Sequence, residues 1–173
     1  MEQLKNQPCP MCRGNTLTLT QDEKEIPYFG KVLVFSMTCS SCNYHIADIE
    51  AIEDKEPVRY TFETSSAKDM DVRIIKSSKA TIKIPQLRMK VEPGPASQGY
   101  ITNVEGVISR FEKIVDEQKD SAEEKSERKS AKNLLKKIRK VKLGDIQIKI
   151  IVEDPSGNSA IISPKAKIEK LRK

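Results

Sequence analysis

The chain holds four cysteines in two couples, Cys9-Pro10-Met11-Cys12 and Cys39-Ser40-Ser41-Cys42. Two residues separate the members of each couple, so a tight turn can aim both sulfurs at one point. A second such turn completes a tetrahedron around a soft divalent cation. Four thiolates leave no coordination position for water or substrate. The spacing therefore predicts one closed, structural zinc site with Cys9, Cys12, Cys39 and Cys42 as its ligands. Iron or an iron–sulfur cluster could use the same donors, and the residues alone do not separate it from zinc. A redox dithiol would need a couple to open a helix within a βαβ unit, and neither couple does.

Other chemistry finds little footing. His45 is the only histidine; beside four thiolates it would be a surplus fifth donor, and it reads as an exposed strand residue. A single histidine argues against Ser-His-Asp and Cys-His-Asp machinery, and no nucleophile elbow occurs. Gly94 and Gly99 precede no Gly-Lys-Ser/Thr, so no phosphate loop is present. The expectation is no catalytic residue, no small-molecule substrate and no enzymatic activity. No apolar signal segment opens the chain and no stretch approaches about 18 apolar residues, so neither secretion nor membrane spanning is expected. Paired cysteines in that setting fit a reducing cytoplasm.

Hydrophobic residues make up 37% of the 173 and charged residues 32%, with no Trp. That suits a metal-supported module beside one modest core better than two large cores. The division expected is a zinc ribbon over 1–52, a β domain over 53–163 and a mobile basic tail over 164–173. The net charge of +6 is unevenly spread: Arg128–Lys142 carries eight basic residues and no acidic one. This basic helix face and the basic tail sit on an otherwise acidic body.

In the ribbon, strands are expected over Thr16–Thr20, Lys31–Thr38 and Tyr44–Glu50, with Gln21–Glu25 as a polar excursion. Gly14 and Asn43 are placed for left-handed backbone after the two couples. Farther on, Val58–Glu63, Val72–Ser77, Lys79–Ile84 and Leu87–Val91 read as strands. Thr102-Asn103-Val104-Glu105 reads as a capping box opening a helix. A second helix is expected to begin at Ser121 and stop at Gly144, which puts a helical hairpin at about 102–143, with 116–128 open between helix and loop. Ile146 to Val152 alternates as a strand. Asp154–Asn158 is a turn, and Ser159–Ser163 is expected to pair back across it as a hairpin arm. The fold class is mainly β with a helical hairpin, the second part being a sandwich or helical-β barrel.

These segments together resemble the ZPR-type zinc-finger family in its single-module, archaeal-like form. The resemblance rests on Cys9-Pro-Met-Cys-Arg-Gly14, on Ile26-Pro27-Tyr28-Phe29 leading into Cys39-Ser-Ser-Cys42-Asn-Tyr44, and on Pro93-Gly94 and Gly99-Tyr100-Ile101-Thr102. Val104-Glu105-Gly106-Val107 and Asp154-Pro-Ser-Gly-Asn-Ser159 complete it. Asn43 stands where the family usually has Gly. The resemblance implies a zinc ribbon joined to a double-stranded β-helix domain. It also implies a chaperone or adaptor that binds translation elongation factor 1-alpha. Eukaryotic members were linked to receptor tyrosine kinases as well, partners that a single-module archaeal-like protein does not meet. Pro27, Tyr28 and Phe29 either pack on neighbouring strands or form an aromatic anchor for that partner. The alternative function is a nucleic-acid-binding ribbon protein using the basic helix, with Lys136, Lys137 and Lys140 in contact with phosphates, and the basic tail.

Overall fold

The computed structural model describes residues 1–26, 30–52 and 55–171, and the architecture is mainly β with two helices. The first four strands form one antiparallel sheet in chain order: β1 (Glu2–Gln7), β2 (Leu17–Ile26), β3 (Gly30–Cys39) and β4 (His45–Ala51). Two features differ from expectation. Glu2–Gln7 is a strand, pairing with β2 through Leu4 and Leu19. The polar segment Gln21–Glu25 is strand as well, held in continuous register by Lys31–Phe35 of β3. Neither segment has the apolar alternation that marks a strand; the apolar run of β3 imposes the pairing on them.

The second part carries β5 (Val58–Glu63), β6 (Arg73–Lys76), β7 (Thr81–Ile84), β8 (Met89–Val91) and β9 (Tyr100–Asn103). Then come α1 (Val104–Ser121), α2 (Lys125–Lys142), β10 (Lys149–Asp154), β11 (Ala160–Ile162) and β12 (Lys167–Lys170). A five-stranded sheet runs β12-β5-β10-β7-β8 and a three-stranded one β11-β6-β9. The sheets do not close on each other. Both contribute, with α1 and α2, to one core that includes Phe62, Ile74, Ile82, Ile108, Ile138 and Ile150.

Residues 116–128 resolve into helix, break and helix. Ser121 does not open α2, because its hydroxyl bonds back to the Gln118 carbonyl at 3.2 Å and α1 continues through it. Nor does Thr102 cap α1: it is paired in β9 with Ile74, so the cap moves to Asn103, whose Oδ1 accepts from the Gly106 amide at 2.8 Å. Gly144 ends α2 as expected, at φ 84°. The Gly144 and Asp145 amides donate to the Val141 and Lys140 carbonyls at 3.0 and 2.9 Å, which satisfies the last turn.

Two further expectations are corrected. Ser159–Ser163 does not return along β10. The chain crosses to the other sheet, and Ala160, Ile161 and Ile162 of β11 pair with Ile75, Ile74 and Arg73 of β6. The crossing is organised by Asp154, fully buried, which accepts from the Ser156 amide and hydroxyl at 2.8 and 2.7 Å. It also accepts from the Asn158 amide at 3.0 Å and the Ser159 hydroxyl at 2.6 Å. Burial alone would raise this carboxyl, but the hydroxyls of Ser159, Ser156 and Ser77 outweigh it and hold it below its ordinary range. The expected mobile tail also carries a strand, Lys167–Lys170, paired with β5 from Thr61 to Val58.

Asp69 makes a separate pH-sensitive anchor. Its carboxylate accepts from the Ser65 and Ser66 amides at 2.7 and 3.1 Å and from the Lys165 ammonium at 3.0 Å. The Ser65 amide is the largest influence, and the group is held down to about 2. A depressed carboxylate stabilises the fold above its unfolded pKa and stops doing so as pH falls through the folded value. Asp69→Asn should therefore cost about 1–2 kcal/mol at pH 7, part of the full linkage value being lost because Lys165 remains half in water. The deficit should shrink between about pH 4 and pH 2, as read by urea unfolding of both proteins at each pH. An equal deficit at both ends would contradict it.

Candidate metal centre

The first cysteine couple lies in the loop between β1 and β2, the second starts at the last residue of β3 and runs into the loop before β4, and the two turns are built alike. The Cys9 amide donates to the Gly14 carbonyl at 2.9 Å, and the Cys39 amide to the Tyr44 carbonyl at 2.8 Å. The residue after the second cysteine of each couple takes the left-handed conformation: Arg13 at φ 60° and Asn43 at φ 57°. Asn43 was expected there and is readily accommodated. In the first loop the left-handed residue is Arg13 rather than Gly14, because the Arg13 amide turns back onto the Cys9 carbonyl at 2.9 Å.

All four sulfurs lie within 4.8 Å of one another, and they form the only such group of metal-binding side chains among the described residues. Cys9 and Cys42 are 3.7 Å apart at sulfur, as are Cys12 and Cys39. A tetrahedron with Zn–S bonds of about 2.3 Å has edges of about 3.8 Å, whereas a disulfide needs sulfurs about 2.05 Å apart. The donor set thus fits zinc, which fixes the two loops together when bound. Cys9 and Cys39 are buried with Leu17, and Leu19 and Tyr44 pack around them. Cys12 and Cys42 are exposed.

The thiols influence one another strongly. The Thr16 hydroxyl, 3.2 Å from the Cys39 sulfur, is the main cause that pulls that thiol down to about 6, with the amides of Cys42 and Ser41 adding to it. At Cys42 the Tyr44 amide acts downward, but desolvation and the other three cysteines together prevail and push the thiol up to about 12. Four thiolates this close call for a cation among them. Thr16 is a contributor that sequence reading missed; it lies in a strand-like Thr/Leu alternation that gives no sign of facing a sulfur. His45 is exposed and outside the cluster, with its Nδ1 3.0 Å from the Thr38 hydroxyl.

Pro27, Tyr28 and Phe29 lie outside the described residues. The junction between the sheet and the second part is described. Val32 is fully buried against Ile75 and Ala160, with Val34 and Ile49 beside it. Asp48 accepts from the Gly99 amide at 2.9 Å, and a Cβ on Gly99 would lie 2.5 Å from the Ile49 carbonyl oxygen. Only glycine allows the two backbones to meet there.

On α2, Lys125, Arg128, Lys129, Lys132, Lys136, Arg139 and Lys140 are exposed, and none is in an ion pair. At 100° per residue they all fall on one face. Lys137, expected among the contacts, instead bonds to the Gln86 carbonyl at 2.6 Å. Lys142 pairs with Glu112 of α1. The tail cations Lys165 and Lys170 pair with Asp69 and Glu56. Among the described residues no helix is long and apolar enough to cross a membrane.

Comparison with known proteins adds three findings. The ZPR1 zinc-finger domain matches residues 1–54 and the ZPR1 jelly-roll domain residues 68–172. An uncharacterized ZPR1-like protein of Methanocaldococcus jannaschii is 38% identical over 94% of this chain and 82% of its own length; one of Pyrococcus horikoshii is 35% identical over 100% and 79%. The zinc finger chaperone of Schizosaccharomyces pombe is 29% identical over 79% of this chain but only 30% of its own length.

Proposed function

The chain belongs to the ZPR1 zinc-finger family, and on that premise we propose a cytoplasmic, non-enzymatic chaperone or adaptor for translation elongation factor 1-alpha. The observation that carries the reading is a four-thiolate centre with no position left for a substrate, in a chain related to a protein named as a chaperone. The elongation factor itself comes from the family resemblance. Cys9, Cys12, Cys39 and Cys42 hold one zinc ion; Pro27, Tyr28 and Phe29 belong to the partner contact. Residues 1–52 act as the ribbon unit, and the β unit expected over 53–163 takes in β12 as well. Calorimetric titration of the zinc-loaded chain with its cognate elongation factor, in GDP-bound and nucleotide-free forms, tests this. Binding to at least one form is expected, and binding to neither would sink the proposal.

A second reading follows from the unpaired stripe on α2. Such a face suits a phosphate backbone, and it carries no aromatic side chain to stack on bases. It predicts affinity for duplex RNA that falls steeply with salt and is lost on reversing Lys129, Lys132 and Lys136 to Glu. Affinity indifferent to both would remove it.

A further inference from the structure

The four-stranded sheet is apolar on both faces; one packs on the second part, and among the described residues the other is met by that part only at its β4 edge, where Asp48 bonds to Gly99 and Gln98 lines the groove. Val32 and Val34 of β3 and Ile49 of β4 turn toward the second part. Alternation sends their neighbours Leu33, Phe35 and Met37 the other way. Register then aligns a row across all four strands: Leu4 opposite Leu19, Leu19 opposite Met37, Met37 opposite Ile46. Adjacent strands are about 4.8 Å apart, so the row is about 14 Å long. Leu4 is 62% exposed and Met37 37%. Shallow grooves of about 300 and 230 Å³ flank the Phe35–Met37 ridge.

Beyond that row carboxylates outnumber cations on this face. Glu2 and Gln21 lie in the row of Phe35, where Asp48 is turned to the Gly99 amide; Glu23 and Glu50 flank Leu33 in the next, and Glu25 stands opposite Lys31 in the one after. Glu2, Glu23 and Glu50 are exposed and in no ion pair. Flexible Met and Leu side chains beside unpaired carboxylates suit an apolar partner that brings its own cations.

We infer that this face of the ribbon docks an amphipathic helix from a partner protein, its apolar stripe along Leu4–Leu19–Met37–Ile46 and a Lys- or Arg-rich flank over Glu23 and Glu50. A row about 14 Å long matches about ten helical residues, enough for anchors at i, i+3 or i+4, and i+7. The inference deepens the proposed chaperone function by naming a surface and the chemistry of its client, and to that extent it rests on that reading.

The test uses the zinc-loaded full chain with two probes: the cognate elongation factor, and a fluorescent helical peptide of about 14 residues with leucines at helical spacing and lysines on one flank. Anisotropy should show the lysine peptide binding about tenfold tighter than its glutamate counterpart at low salt. Leu4→Asp with Met37→Asp should abolish that binding with the zinc content unchanged. Glu23→Lys with Glu50→Lys, which alters only exposed charges, should reverse the peptide preference and keeps the test decisive if the aspartate variant loses its metal. Equal binding by wild type and the charge-reversed variant, or no discrimination between peptides, overturns the inference. If wild type binds the elongation factor and both variants bind it equally, the surface is wrong and the chaperone reading stands. If wild type ignores the factor yet the peptide arm behaves as expected, the surface stands and the choice of client is wrong.

Discussion

Cys39→Ser should empty the metal centre and unfold residues up to about Ala51, while the second part keeps a cooperative transition. Around the metal the fully buried apolar residues are Leu17 and two of the cysteines themselves, with Leu19 and Tyr44 half-buried beside them. Burying a leucine is worth about 1.5–3 kcal/mol, whereas zinc has an apparent contribution of about 10–16 kcal/mol in small finger peptides, so the metal is the largest single term holding the two cysteine loops together. Serine removes a thiolate and sets a neutral hydroxyl in place of the sulfur that faces Thr16. Native mass spectrometry should count one zinc in the wild type and none in the variant. Hydrogen exchange should show β1–β4 unprotected and β10 still protected. Uncovering Ile75 and Ala160 should lower the stability of the second part by about 1–2 kcal/mol. A variant that retained zinc and protection in β3 would show that the site does not organise the ribbon.

The second large effect is expected at Asp154. Asp154→Ala removes the acceptor of two amides and two hydroxyls, all within the buried crossing between the sheets. Each donor left without a partner costs about 1–3 kcal/mol, and breaking a buried charged network typically costs about 3–5 kcal/mol in all. Lys76, whose amine is buried beneath Tyr100 and bonded to the Ser77 carbonyl at 2.9 Å, would also lose a nearby negative charge. A loss of at least about 3 kcal/mol is expected from urea unfolding at pH 7, with zinc content unchanged. Asp154→Asn, which keeps one acceptor oxygen, should fall between. A loss under about 1 kcal/mol for the alanine variant would mean the crossing holds without its carboxylate.

These two sites were unequally legible in the sequence. The cysteine couples declare themselves because metal-ligand spacing is a local property. Gly144 was readable for the same reason, since the helix stop is written within a few residues. Asp154 was readable as a turn residue but not as a hub. Turn chemistry says that the chain reverses, and it does not say which sheet receives the next strand. One signal was available: Ile150, Val152 and Asp154 share the period-2 face of β10, so the carboxylate points where the core lies. The first strand was invisible, since Glu2–Gln7 contains a single apolar residue and owes its conformation to β2. The open apolar face did leave a trace. Val32, Leu33, Val34 and Phe35 are consecutive, and an unbroken apolar run in a strand means that both faces are apolar.

The strand orders of the two parts have opposite consequences for biosynthesis. In the ribbon each strand pairs with its neighbour in sequence, so everything it needs except the metal is present once residue 51 has emerged. In the five-stranded sheet β10 lies between β5 and β7, and β12 completes the far edge, so strands made early must wait for strands made last. The α1–α2 hairpin lengthens that wait by its own 36 helical residues. Folding during translation should thus proceed in two stages, a fast one gated by zinc supply and a slow one gated by chain completion. In the interval, Val32 and Ile49 would be bare, and the nascent chain would present apolar surface on both sides of its first finished domain.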